Sequence, residues 1–298
     1  MQQLLVIFIL SFSIVFQSAA QSWLVNAKEY NSKRALVSTV VLATGWTGTI
    51  ATLSSVWYTA PKDKFTFFND ANNWMQMDKV GHFYAASQLT QRGVELFKWA
   101  GVSKQKSLLF GSIFGLGFQT SFELLDGFSP NYGFSWSDAG ANALGTANYV
   151  AQDLLWDEQK VKLKFSAHPT DYAKYRPNVL GQTFAERVLK DYNGQTYWIS
   201  FSPVTLFNLN TNFPEWINLS FGYSVEELLY GNIEETYLID IPWRPYRKYL
   251  LSLDIDLEKL NVKKPWLIAF FKQVNTLKIP LPTIGFSERG TKLYGLYF

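Results

Sequence analysis

The stretch Met77-Asp78-Lys79-Val80-Gly81-His82-Phe83 opens an otherwise apolar segment that has helical periodicity. Two later segments, near residues 119–127 and 135–145, also carry polar side chains three or four positions apart, which places each set on one helix face. Ionisable groups on apolar helices are costly unless they pair with one another. We therefore expect the three sets to meet in one buried polar network, made of Asp78, Lys79, His82, Gln119, Glu123, Asp126, Asp138 and Asn142.

Residues 32–156 have the pattern of an N-terminal bundle of about four helices. The first helical segment, residues 35–58, carries no charged residue, and the third, residues 107–125, carries only Glu123. Both segments are long and apolar enough to cross a bilayer. A buried helical hairpin in a water-soluble bundle has the same composition, so membrane-embedded and membrane-facing arrangements both stay open.

Small residues on these segments favour close helix packing. Gly111 and Gly115 have the small-xxx-small spacing of packed membrane helices. Gly140 and Gly145 are expected to allow a second close approach on the fourth helical segment.

Residues 157–298 have a different sequence pattern, with short segments of alternating β-branched or aromatic residues between Pro, Gly and Asn turns. The expected strands are 196–202, 216–223, 237–241, 248–257, 277–284 and 292–298, interrupted by helices at 181–191 and 265–275. Such strands form either a small barrel or a sheet packed against the helices. The predicted fold class is α+β, with a leader at 1–20, a helical bundle at 32–156 and a β-rich region at 157–298.

The N-terminus predicts export. Residues 4–16 form an apolar or hydroxyl-bearing run that is too short to span a bilayer comfortably. Small residues follow at positions typical of signal-peptidase cleavage, so we interpret residues 1–20 as a signal peptide cleaved after Ala20. The apolar run lacks a preceding basic residue, which keeps an uncleaved anchor open.

Composition excludes several classes of protein. With no cysteine, we expect no disulfide, thiol catalysis, Cys-ligated metal or lipidated cysteine. The only histidines, His82 and His168, are too few for a multi-histidine metal site, and we predict no metal and no cofactor. Hydrophobic residues at 48% and charged residues at 17% favour a membrane. A net charge of +3 without a basic stripe argues against nucleic-acid binding.

The order Asp-Lys-x-x-His-Phe, Glu-Leu-x-Asp and Ser-Trp-x-Asp-x-x-x-Asn-x-x-Gly resembles the YfiM-like family of predicted periplasmic lipoproteins of unknown function, and more distantly the VanZ-like membrane proteins associated with glycopeptide resistance. The resemblance covers residues 74–149, and the matching residues are Asp78, Lys79, His82, Phe83, Glu123, Asp126, Ser135, Trp136, Asp138, Asn142 and Gly145. It implies an exported envelope protein and no established reaction. Because the chain lacks a lipobox cysteine, lipid anchoring does not transfer with the resemblance.

We therefore expect an exported, membrane-associated protein of the cell envelope, at the outer membrane or the periplasmic side rather than the inner membrane. The favoured class is a non-enzymatic structural or interaction protein whose partner is membrane lipid or another envelope protein, with peptidoglycan as a further candidate. An enzyme acting on a lipid or cell-wall intermediate would use His82 as general acid or base, Glu123 to orient it, and Asp138 with Asn142 to bind a head group or an ion. A small transporter or channel-like assembly is the third class.

Overall fold

The computed structural model describes residues 23–58, 61–238 and 242–298. The fold is α+β, with a helical N-terminal half and a C-terminal antiparallel sheet of six strands. The predicted signal peptide at residues 1–20 lies outside the described residues.

Four long helices make up the N-terminal half: α1 (Ser32–Trp57), α2 (Met77–Trp99), α3 (Lys104–Gly127) and α4 (Trp136–Trp156). The bounds of α1 and α3 lie within a few residues of the predicted 35–58 and 107–125. Helix α2 packs against both α3 and α4, which also contact each other, whereas α1 makes only limited contact with α2 and α3. The N-terminal half is thus a three-helix core with α1 along one side, rather than an even bundle of four.

Glycines allow the close approach of the core helices. A β-carbon added at Gly115 would overlap the Thr90 side chain and lie 3.0 Å from the Ala86 carbonyl oxygen, so α2 and α3 nearly touch there. A β-carbon at Gly145 would overlap the backbone of Phe83, so α4 touches α2 in the same way. The expectation for Gly140 was wrong, since no atom lies within 4 Å of its added β-carbon.

The sheet is formed by β1 (Val161–Ala167), β2 (Gln195–Phe201), β3 (Ile217–Glu226), β4 (Tyr246–Ile255), β5 (Leu281–Ser287) and β6 (Gly290–Tyr297), in that order and with every neighbouring pair antiparallel. Among the described strands β6 does not pair with β1. The free edge of β1 instead pairs at Phe165 with Thr276 and Lys278, through two backbone hydrogen bonds of 2.9 Å. The result is an open sheet and not a closed barrel of paired strands.

Short helices join the strands: α5 (Pro177–Leu180), α6 (Phe184–Lys190), α7 (Pro203–Phe207), α8 (Ile233–Tyr237) and α9 (Pro265–Val274). The predicted helix at 181–191 is the shorter α6, because Gly181, with a φ of 100°, ends α5 and is itself not helical. The predicted strand at 237–241 was wrong over its described residues, since Tyr237 ends α8 and Leu238 lies in a turn. Strand β1 was not predicted, because Lys164 resembles a solvent-exposed residue but is buried.

The distribution of side chains on the sheet is the reverse of the usual one, because the buried face is polar and the exposed face is apolar. One face buries small and polar side chains, including the cross-strand row Ser200, Ser220 and Ser252. The opposite face exposes the apolar side chains Ile199, Phe221, Tyr249, Leu253, Phe286 and Leu293. Helix α2 covers one part of this apolar face, where the Tyr84 ring contacts the rings of Phe165 and Tyr197.

Candidate functional site

An unusual turn fixes the start of α2. Trp74, Met75 and Gln76 have φ values of 51°, 50° and 64°, a left-handed conformation that residues other than glycine rarely adopt. The C-terminal half holds this turn in place: the Trp74 backbone donates to the Gly231 carbonyl at 2.7 Å, and Arg247 donates to the Gln76 side chain at 2.6 Å. The sheet region therefore decides the direction in which the first turn of α2 points.

Lys79, in that first turn, is bonded to three carboxylates. Its Nζ lies 2.7 Å from Asp70, 2.9 Å from Asp138 and 3.0 Å from Asp78. Burial opposes the charge on Lys79, but these carboxylates outweigh it and raise the pKa of the ammonium group above its usual value. Lys79 therefore stays protonated at neutral pH.

The His82 ring lies between carboxylates from two helices. Its Nε2 is 3.7 Å from Asp78, and its Nδ1 is 3.6 Å from Glu123, which is ion-pair range but longer than a hydrogen bond. Nδ1 also lies 3.1 Å from the Asn142 side-chain oxygen, so it donates there. Burial disfavours the imidazolium, but Asp78, Asp138 and Glu123 raise the pKa of His82 above its usual value.

Helices α3 and α4 close the site from the other side. Gln119 donates to the Asn142 oxygen at 3.1 Å. Ser135 caps α4, because its hydroxyl accepts from the backbone of Asp138 at 3.1 Å. The same hydroxyl donates to Asp70 at 2.6 Å, and the Ser135 backbone donates to Glu123 at 3.3 Å. One serine thus connects the loop before α2 with both α3 and α4.

Seven of the eight residues predicted for the network come together: Asp78, Lys79, His82, Gln119, Glu123, Asp138 and Asn142. The eighth, Asp126, makes no hydrogen bond or ion pair with these seven among the described residues, and its carboxylate accepts from the Tyr58 hydroxyl at 2.8 Å. Two participants were missed. Asp70 lies in an irregular loop, and Tyr192, which donates to Asp78 at 2.8 Å, lies 114 positions further along the chain. Neither residue carries a local sequence signal.

We use the name acid-rich cluster for Asp70, Asp78, Lys79, His82, Gln119, Glu123, Asp138 and Asn142. Its four carboxylates face two basic groups, so with every carboxylate ionised its formal charge is −2 with a protonated imidazole and −3 with a neutral one. Burial and the nearby charge of Asp78 raise the pKa of Asp138 to about 6. Glu123 is 1% exposed, and its Oε1 makes no hydrogen bond with any residue that the structure describes. Asp78, His82 and Asp138 are the residues placed to hold a metal ion.

Residues 65–152 match a family described as predicted periplasmic lipoprotein (DUF2279). This range contains α2, α3, most of α4 and the whole acid-rich cluster. The match bears out the expectation of an exported envelope protein whose activity is not known, and nothing in it favours an enzyme or a transporter. It does not support the wider resemblance to VanZ-like proteins. No curated protein and no solved structure matches the chain.

Proposed function

We propose that the protein is a non-enzymatic structural protein of an envelope membrane, in which α1 and α3 lie in the bilayer and the acid-rich cluster fastens the helices to the C-terminal sheet. In the part of the chain that the structure describes, residues 32–52 and 104–127 are the two stretches long and apolar enough to cross a membrane. Only 11% of the first stretch and 33% of the second are buried. A core helix of a water-soluble protein buries more of its apolar surface.

Apolar side chains cover the outer surfaces of both helices. They are Leu36, Val37, Val40 and Val41 on α1, and Leu109, Phe110, Ile113, Leu116 and Leu124 on α3. A large exposed apolar surface of this kind marks contact with lipid or with a partner.

The hydrogen bonds of the hydroxyl groups on these helices favour lipid, rather than a partner protein, as what covers the apolar surface. Thr44 donates to the Val40 carbonyl at 2.7 Å, and Thr47 donates to the Ala43 carbonyl at 2.9 Å, although both threonines are exposed. On α3 the exposed Thr120 donates to its own helix in the same way. In a bilayer, which offers no water, every polar group must find such an internal partner.

The two ends of the helices differ from their middles. At one end the Arg34 guanidinium lies 5.4 Å from the Trp23 ring and 5.0 Å from the Trp99 ring. Beyond the other end of α3, the exposed rings of Phe67 and Trp136 stack on each other. Aromatic and basic side chains at both limits of an apolar span are typical of membrane–water interfaces.

Contacts between the cluster and the sheet support the structural role. Tyr192 bonds to Asp78, and Tyr223 donates to the Met75 carbonyl in the turn before α2. The cluster is therefore part of the connection between the two halves. Removing one member leaves buried partners unsatisfied, which costs more than the net contribution of a single hydrogen bond.

Carbonate washing of membranes from cells that express the full chain tests the membrane proposal. We expect the wild type to stay in the membrane fraction, and Ile113→Arg to lower its retention, because a charge at the bilayer centre costs about 3 kcal/mol. The matched control is Phe184→Arg, since Phe184 is similarly exposed but lies on α6, outside the proposed spans. Release of the wild type by carbonate would overturn the proposal.

Abundance measurements separate a structural cluster from a catalytic one. For a structural cluster we expect His82→Ala, Glu123→Gln and Asp138→Asn each to lower the folded amount of protein, measured by protease resistance in membranes. An enzyme acting on a lipid intermediate would instead keep its folded amount in all three variants. Unchanged protease resistance would therefore favour catalysis.

A further inference from the structure

We propose that the acid-rich cluster binds one divalent transition-metal ion through Asp78, His82 and Asp138. This inference rests on the structural role proposed above and deepens it, since the ion would hold α2 and α4 together. Each of the three residues offers one ligand atom, and these atoms lie within 4.8 Å of one another. Metal–ligand bonds of about 2.0–2.2 Å require only a small contraction of that set.

The donor atoms indicate the class of ion. One imidazole nitrogen and two carboxylate oxygens suit Zn²⁺ or another first-row divalent ion. Mg²⁺ and Ca²⁺ prefer sites made of oxygen alone. The side chain of His82 thus distinguishes a transition-metal site from an ordinary acidic one.

The charge of the cluster also calls for a cation. The three carboxylates that contact Lys79, together with that lysine and a neutral, ligating imidazole, sum to −2, and a divalent ion brings this to zero. Uncompensated charge is expensive in a buried site. A divalent ion would therefore reduce the free-energy cost of the buried negative charge that Lys79 and His82 do not neutralise.

Glu123 supplies an independent observation. Its Oε1 is buried without a hydrogen bond and lies 3.6 Å from the His82 ring, so it is directed into the cluster. The Asn142 side-chain nitrogen, which also lies in the cluster, has no hydrogen-bond partner in the described part of the chain either. A water molecule on the ion would donate to this oxygen of Glu123, which would give a hydrogen bond to a buried atom that has none with the described residues.

The positive charge of Lys79 lies next to the proposed metal site. Its ammonium group contacts both carboxylates that would bind the ion. Because like charges repel, Lys79 weakens the binding of a cation next to it. Replacing Lys79 should therefore tighten metal binding, whereas a cluster with only a structural role would gain nothing from the loss of Lys79.

Calorimetric titration with Zn²⁺ tests the proposal on the full chain in detergent micelles, after dialysis against EDTA. We expect one Zn²⁺ per chain, a higher melting temperature on binding, and much weaker binding of Mg²⁺. His82→Ala should lower Zn²⁺ affinity by at least about tenfold, and Lys79→Met should raise it by about tenfold. Asp126→Asn is the matched control and should lower Zn²⁺ affinity much less than His82→Ala does, because Asp126 is bonded to Tyr58 and is not one of the three ligands.

Absence of stoichiometric Zn²⁺ binding, or binding that His82→Ala leaves unchanged, would overturn the metal site. If His82→Ala yields no folded protein, His82→Gln provides the same test with a side chain that can still bond to Asn142. Carbonate retention and the folded amount of each variant are measured in a separate experiment without added metal. A chain that stays in the membrane but binds no Zn²⁺ would overturn the metal site alone.

Discussion

Two buried groups of charges, one among the helices and one against the polar face of the sheet, differ in their balance. The sheet cluster consists of Lys162, Lys164, Lys278, Asp254, Asp256 and Glu258, three basic groups facing three acidic ones. The acid-rich cluster sets four carboxylates against two basic groups. Burial of charge therefore does not by itself indicate a ligand site, and the excess of carboxylates in the acid-rich cluster is what motivates the metal-site proposal.

Hydrogen bonding shows the same contrast. In the sheet cluster, Asn275 accepts from Lys164 at 3.1 Å and donates to Asp256 at 2.8 Å and to Glu258 at 2.9 Å. Its amide thus connects both ends of the cluster. In the acid-rich cluster, a carboxylate oxygen of Glu123 is left without a hydrogen bond. We interpret the sheet cluster as complete within the protein.

We expect the largest loss of stability when one charge is removed from the sheet cluster, in which the basic and acidic groups are equal in number. Lys164 has no exposed side-chain surface and lies 2.7 Å from Asp254, so Lys164→Met leaves a buried carboxylate short of its main partner. We expect a loss of about 3–5 kcal/mol in unfolding free energy. Guanidinium titration in detergent, followed by tryptophan fluorescence, measures it.

The control is Lys174→Met, which breaks the exposed ion pair with Asp171. An exposed pair contributes at most about 1 kcal/mol, so this variant should unfold almost as the wild type does. Equal losses in the two variants would show that the sheet cluster is not the source of stability.

The second effect tests whether the acid-rich cluster depends on close helix approach. Gly145→Ala forces α4 away from Phe83, and we expect it to cost about 1–3 kcal/mol. Gly140→Ala lies on the same helix in open space and should gain up to about 1 kcal/mol through helix propensity. Thermal unfolding followed by circular dichroism compares the two, and a loss in both variants would contradict this account.

The smallest effect concerns pH. Burial and the neighbouring charge of Lys164 lower the pKa of Lys278 to about 8, against 10.5 for a free lysine. Between these two values the unfolded chain binds more protons than the folded one, so the contribution of Lys278 to stability rises with pH. Below that window its unfavourable contribution is fully present.

Unfolding titrations of the wild type and of Lys278→Met at several pH values isolate this term. As the pH rises above 8, the stability of the wild type should increase relative to the variant. Parallel curves for the two proteins would show that Lys278 keeps an ordinary pKa in the folded protein.

Much of the helical half could be predicted, because side chains three or four positions apart share a face in any α-helix. That rule places Asp78 beside His82, and Gln119 and Glu123 on one face. It did not separate Asp126 from the cluster, since the contact with Tyr58 depends on where α1 lies. In the sheet, alternation predicted β2, β3 and β4 well but missed β1, whose buried lysine has its partners on distant segments.

The sequence by itself determined the helical segments, most strands and the polar spacing, because these follow from covalent geometry and the period of apolar residues. Only the tertiary structure decided which charges meet. The contacts of Lys79 with Asp70 and of Asp78 with Tyr192 join residues whose separation along the chain carries no periodic signal. Whether a buried charge is balanced depends on all its neighbours in space, and those neighbours are set by packing rather than by local order along the chain.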